Sequence, residues 1–174
     1  MSVTALAAAT AAWMTGLGVP TPAVPVTPGD PTVVCHRPVE ACATASAVYA
    51  APTIDLATDP ALLIHELAHV ASHQVHAFPT PADLAVEEGA AEALARDLAP
   101  AWFTRFGLDD VTYVLERPGV YPAQTWWVRG LSGMACRTDW RSRCARHWRR
   151  AFVTGDRAAM IAAATAPPLL EEGR

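Results

Sequence analysis

The chain of 174 residues contains no lysine; all 13 of its cations are arginine. It also lacks a strong charge of either sign. A formal net charge of −4 makes no case for a nucleic-acid partner, and none is expected. Its four cysteines show no CxxC spacing, which argues against a cysteine-built zinc site. Long apolar runs are missing as well. The best, Val3 to Val19, is uncharged but only 17 residues long and broken by Gly16 and Gly18, a poor membrane span. No arginine precedes it, unlike the basic start of a secretory signal.

What is present bounds the fold. The length suits one domain with a normal apolar core. Hydrophobic residues make up 52%, much of it alanine, which favours helices over thick sheets. A proline-rich stretch, Pro20 to Pro31, follows the apolar start. Two readings of residues 1–31 stay open. One is a signal or short membrane anchor followed by a stiff linker; the other is an alanine-rich helix packed on the main domain, residues 32–174. The cysteines form two local pairs, Cys35/Cys42 and Cys136/Cys144. Such pairs predict two disulfides and a secreted or extracytoplasmic location. Buried free thiols in a cytoplasmic protein are the alternative. Eight arginines crowd the segment from Arg129 to Arg157, opposed there only by Asp139 and Asp156. It reads as a solvated helix face or as a contact for an acidic partner or anionic lipid.

Strands are expected at Thr32–Cys35, Ala47–Ala50 and Thr53–Leu56, so a small sheet precedes the helices. Asp59-Pro60 opens a helix reaching about His76, since Asp caps well and Pro fits the first turn. Thr80-Pro81 opens a second, over Pro81–Leu98, with Pro100 as its stop and Gly89 inside it as a mark of close backbone approach. Helices are further predicted over Pro122–Met134, Asp139–Phe152 and Arg157–Thr165. In the second of these, Trp140, Cys144, Trp148 and Phe152 form an apolar stripe opposite the arginines. The expected class is α+β, a small N-terminal mixed sheet followed by an active-site helix, a glutamate helix and a C-terminal helical part.

Chemistry is concentrated in Leu63-Ile64-His65-Glu66-Leu67-Ala68-His69-Val70. On a helix, residues four apart share a face, so His65 and His69 can direct ring nitrogens at one metal ion. Glu66 is turned about 100° from His65 and can reach a water held by that ion. Zinc lowers the pKa of such a water toward about 7, and a nearby carboxylate can take its proton during attack on a carbonyl. Three protein ligands and an open position are the usual catalytic zinc set. The second helix offers Val86-Glu87-Glu88-Gly89-Ala90-Ala91-Glu92. Glu88 shares a side with Leu84, Ala91 and Ala95, the expected inward stripe, whereas Glu87 is expected to face solvent.

Eighteen residues separate His69 from Glu88. This resembles the gluzincin metallopeptidases, especially the aminopeptidase N-like and thermolysin-like branches, whose pattern is HExxH, eighteen residues, then Glu before Gly. The resemblance implies a zincin-like fold with one zinc ion per chain on His65, His69 and Glu88, and Glu66 as general base. Glu92 matches the acidic residue that orients a zinc-binding histidine in thermolysin-like relatives. Tyr121, heading a helix, is similar to the tyrosine that stabilises the intermediate in aminopeptidase N-like enzymes. A metzincin would need glycine at position 72 and histidine at 75, where this chain has Ser72 and Val75. The expected activity is hydrolysis of peptide bonds in a peptide or protein substrate. A gluzincin-like module that binds zinc without turnover is the alternative.

Overall fold

A computed structural model describes residues 2–35, 39, 41–53, 59–76, 80–106 and 121–166. Its architecture is α+β: seven helices and one three-stranded sheet among the described residues. The elements run α1 (Val3–Gly16), β1 (Val26–Pro28), α2 (Pro31–Cys35), β2 (Ala41–Ala43), β3 (Val48–Ala50), α3 (Pro60–His73), α4 (Pro81–Phe106), α5 (Pro122–Cys136), α6 (Arg143–Thr154) and α7 (Arg157–Thr165). The sheet order is β1-β3-β2, with β1 parallel and β2 antiparallel to the central β3. Strand β2 is therefore an edge.

The start signals act as their chemistry requires. Asp59 accepts a hydrogen bond from Leu62 N at 3.0 Å and Pro60 fills the first turn of α3. Thr80 Oγ1 accepts from Asp83 N at 3.1 Å while Asp83 accepts from Thr80 N at 3.2 Å, a reciprocal cap on α4. One such signal overrides the expected strand at Thr32–Cys35, which is the short helix α2. Asp30-Pro31 opens it, and Asp30 O accepts from Val33 N and Val34 N. The strand expected at Thr53–Leu56 falls mostly outside the described residues.

Helix α1 lies in the core. It buries Leu6, Ala7, Ala11 and Met14 with Leu63, Ile64 and Leu67 of α3 and Leu94, Leu98 and Trp102 of α4. The proline-rich stretch after it buries Val24 and ends in β1, so it is part of the packed structure. No helix among the described residues is long and apolar enough to cross a membrane.

Helix α4 does not stop at Pro100 but runs to Phe106. A proline inside a helix costs about 3 kcal/mol or more. Trp102 opposes that cost: its side chain is wholly buried, and Nε1 donates to Thr10 Oγ1 of α1 at 2.9 Å. The last helical turn also sets Phe106 against Trp13.

Helix α6 begins later than expected, at Arg143, because Ser142 caps it by accepting from Ala145 N. Its buried side is Ala145, Arg149, Phe152 and Val153; of the expected stripe, Phe152 is buried and Trp148 half-buried beside it, whereas Cys144 is exposed and Trp140 precedes the helix. Arg149 is inside because Asp97 of α4 takes it in two hydrogen bonds at 2.7 and 2.9 Å. Its remaining nitrogen donates to Ser132 Oγ of α5 and to Trp140 O. Both expected disulfides are present, Cys35–Cys42 between α2 and β2 and Cys136–Cys144 between α5 and α6. Two disulfides fit an oxidising, extracytoplasmic environment.

Candidate metal centre

Helices α3 and α4 pack side by side and turn their acidic and imidazole groups toward each other. His65, Glu66 and His69 come from α3, and Glu87, Glu88 and Glu92 from α4. His65, His69 and Glu88 are all buried, and their ligand atoms form one close group. His65 Nε2 lies 3.0 Å from His69 Nε2, Glu88 Oε2 lies 3.2 Å from the first, and 3.3 Å separates it from the second. In a tetrahedral site with bonds of about 2.0–2.1 Å, neighbouring donors sit about 3.3 Å apart. The triangle therefore has the size a small metal ion needs.

The opposite edge of each imidazole sets which ring nitrogen is free to donate to a metal. His65 Nδ1 donates to Glu92 Oε2 at 3.2 Å, and His69 Nδ1 donates to Glu87 Oε1 at 2.6 Å. A carboxylate only accepts, so the ring hydrogen belongs on Nδ1 and the lone pair on Nε2. Two ring lone pairs and a carboxylate oxygen then face one another at about 3 Å. Only a cation, a metal ion or protons, makes that arrangement favourable.

Protons meet the same pull. Burial disfavours a charged His65, but Glu88 and Glu92 outweigh it and raise its pKa to about 9. His69 is likewise opposed by burial and raised to about 10 by Glu87 and Glu88. Burial alone would raise the carboxylates; the histidine partners instead hold Glu88 well below the usual range and Glu87 near 2. Glu92 is lowered as well, through His65 and Arg96 after burial is overcome.

Glu87 is the residue that the sequence misassigned. It is not at the surface but 1% exposed, and it holds the second histidine. Ser72 Oγ donates to its other oxygen at 2.7 Å and Arg157 Nη2 does so at 2.6 Å. The reason lies in α4, which is buried all round at this level by α3 on one side and α5 and α6 on the others. Adjacent glutamates can therefore both be inside. The stretch from Ala90 to Ala95, small or apolar at every position but Glu92, is the signal for this. Arg96 offsets Glu92 at 2.7 Å in the same way that Arg157 offsets Glu87.

Glu66, His65, His69, Glu88 and Tyr121 line one cleft of about 590 Å³, together with the Cys35–Cys42 disulfide, Ala43 at the end of β2, and Thr44 and Ala45 after it. Tyr121 sits just before α5, its ring nearly parallel to that of His65 with centroids 6.1 Å apart and planes at 15°. Gly89 sets its position. A Cβ at Gly89 would come 2.7 Å from Gln124 O, so only glycine allows α4 and α5 this close. His73 and His76 border the cleft outside the triangle, and burial lowers the pKa of each. No protein-family model, curated protein or solved structure matches the chain.

Proposed function

We propose that this protein is a zinc-dependent peptidase of gluzincin type, with His65, His69 and Glu88 as metal ligands and Glu66 as general base. The observation that carries the reading is the triangle of Nε2, Nε2 and Oε2 atoms, 3.0–3.3 Å on a side, opening onto a cleft that Glu66 also lines. Two imidazoles and one carboxylate at tetrahedral spacing suit zinc, with a fourth position left for chemistry. When bound, zinc supplies Lewis acidity for a scissile carbonyl and acidifies water near it.

The protein's own groups divide the remaining work. Glu92 and Glu87 keep the two imidazoles in the Nδ1–H tautomer. Glu66 takes the proton of the attacking water on its carboxylate and passes it to the departing amine nitrogen. Tyr121 offers a phenolic donor to the negative charge that develops on the carbonyl oxygen. Edge strand β2 leads into the cleft wall, and among the described residues only β3 pairs with it. An extended peptide could add to such an edge through backbone hydrogen bonds, which favours a peptide as substrate. Two disulfides accord with a secreted enzyme acting outside the cytoplasm.

Metal analysis of the purified protein is expected to find about one zinc per chain. A mixed peptide library is expected to be cleaved, with activity lost on chelation and regained with zinc. Glu66→Gln is expected to retain zinc and lose turnover. Full turnover by zinc-loaded Glu66→Gln would overturn the mechanism, and zinc binding without cleavage of any peptide would favour a binding module instead.

A further inference from the structure

Helix α5 turns an apolar face to solvent. Ala123, Trp126, Trp127, Gly130 and Met134 are all exposed, and at 100° per residue they fall within an arc of about 100°. None carries a charge. Trp126 is 58% exposed, Trp127 43% and Met134 55%, so most of three large side chains stands in water. A Cβ built at Gly130 would meet nothing within 4 Å, which leaves the middle of the stripe open. Scattered single hydrophobics on a surface need no explanation, but a contiguous stripe with two indoles does.

The basic segment borders this stripe. Arg129 lies over Trp126 and Trp140, 6.0 and 4.3 Å from the ring centroids, and Arg141 covers Trp140 at 4.4 Å. Trp140 itself meets Trp126 edge-on at 5.7 Å. Arg146 continues the patch by donating to Arg141 O. Arg137, Arg141, Arg143 and Arg146 are exposed, and Asp139 is the one acid among residues 121–154. The Cys136–Cys144 disulfide fixes the end of α5 to the start of α6, so the apolar and basic parts are held together.

We propose that this α5–α6 face docks onto an anionic phospholipid surface. An uncharged stripe with indoles and a methionine, edged by arginines, matches a bilayer interface in both polarity and charge. Indoles favour the headgroup level, and arginines reach back to anionic headgroups while their stems stay apolar. An acidic protein or a nucleic-acid strand would use the arginines but leave the uncharged stripe in water. Tyr121, which lines the cleft, stands two residues before Ala123 at the start of the stripe. The surface is independent of the metal reading.

Flotation of the full chain with vesicles tests this, using phosphatidylcholine alone and an equal mixture with phosphatidylglycerol. The protein is expected to float with the mixed vesicles only, with a blue shift of tryptophan emission and loss of binding at high salt. Arg143→Gln with Arg146→Gln is expected to weaken partition roughly 25-fold, at about fivefold per cation near an anionic surface. Trp127→Ser with Met134→Ser is expected to weaken it by about tenfold or more. Both variants change exposed side chains, and unchanged circular dichroism and thermal unfolding would show that they fold. Full binding by either folded variant, equal binding to neutral vesicles, or binding to polyglutamate or DNA but to no vesicle would overturn the proposal.

Discussion

Replacing Glu87 by glutamine probes how the site is held without touching a ligand. The carboxylate faces three donors: His69 Nδ1 at 2.6 Å on one oxygen, and Ser72 Oγ at 2.7 Å and Arg157 Nη2 at 2.6 Å on the other. An amide of the same shape has only one oxygen. If it faces His69, its NH2 meets the Arg157 side, where a charge that is only 11% exposed loses its counter-ion. Breaking one half of a buried pair costs about 3–5 kcal/mol. If it faces Arg157 instead, an N–H confronts His69 Nδ1–H and the ligating tautomer is lost. Removing such a supporting group typically lowers metal affinity about 10- to 100-fold. Urea denaturation of the metal-free variant and zinc competition against a chromophoric chelator measure the two effects. The double variant Glu87→Gln/Arg157→Met is expected to regain stability, since both charges are gone, but not zinc affinity. If Glu87→Gln alone kept its unfolding midpoint and bound zinc within about twofold of the parent, the network would not support the site as argued.

Three further outcomes are expected. Zinc binding near neutral pH should release up to about two protons, measurable by calorimetry in buffers of different ionisation enthalpy. In the metal-free protein burial opposes protonation of His65 and His69, but the glutamates around them raise both above the ordinary 6.5, so affinity should rise with pH through neutrality. Gly89→Ala forces its Cβ against Gln124 O and is expected to destabilise the protein by about 1–3 kcal/mol in chemical denaturation, with loss of turnover as Tyr121 shifts. Cys136→Ser/Cys144→Ser is expected to lower stability by about 2–3 kcal/mol in the same assay, for the loop that the disulfide closes.

Much of the frame was legible because its signals are local. Asp59-Pro60 and Thr80-Pro81 cap helices through their own side chains and ring, and the i,i+4 histidines follow from helical geometry. Gly89, inside a helix, signals a close backbone approach and makes one, with Gln124. The same Asp-Pro signal stands at Asp30-Pro31, where it outweighs the β-propensity of Val33-Val34 and gives α2. Other features depend on partners far along the chain. Pro100 reads as a stop because nothing local shows Trp102 docking on Thr10 of α1. Glu87 reads as solvent-facing and Arg149 as one of a basic helix face, because a charge is buried only when a distant partner meets it, here Arg157 and Asp97. The triangle itself brings together His65 and Glu88, 23 residues apart, and spacing alone does not give its dimensions.

The central claim is tested most directly by anomalous diffraction at the zinc edge from crystals of the zinc-loaded protein. The account predicts one peak per chain, within bonding distance of His65 Nε2, His69 Nε2 and Glu88 Oε2, with Glu66 and Tyr121 on its open side. A peak elsewhere, or no peak among these three atoms in a protein that retains zinc, would contradict it.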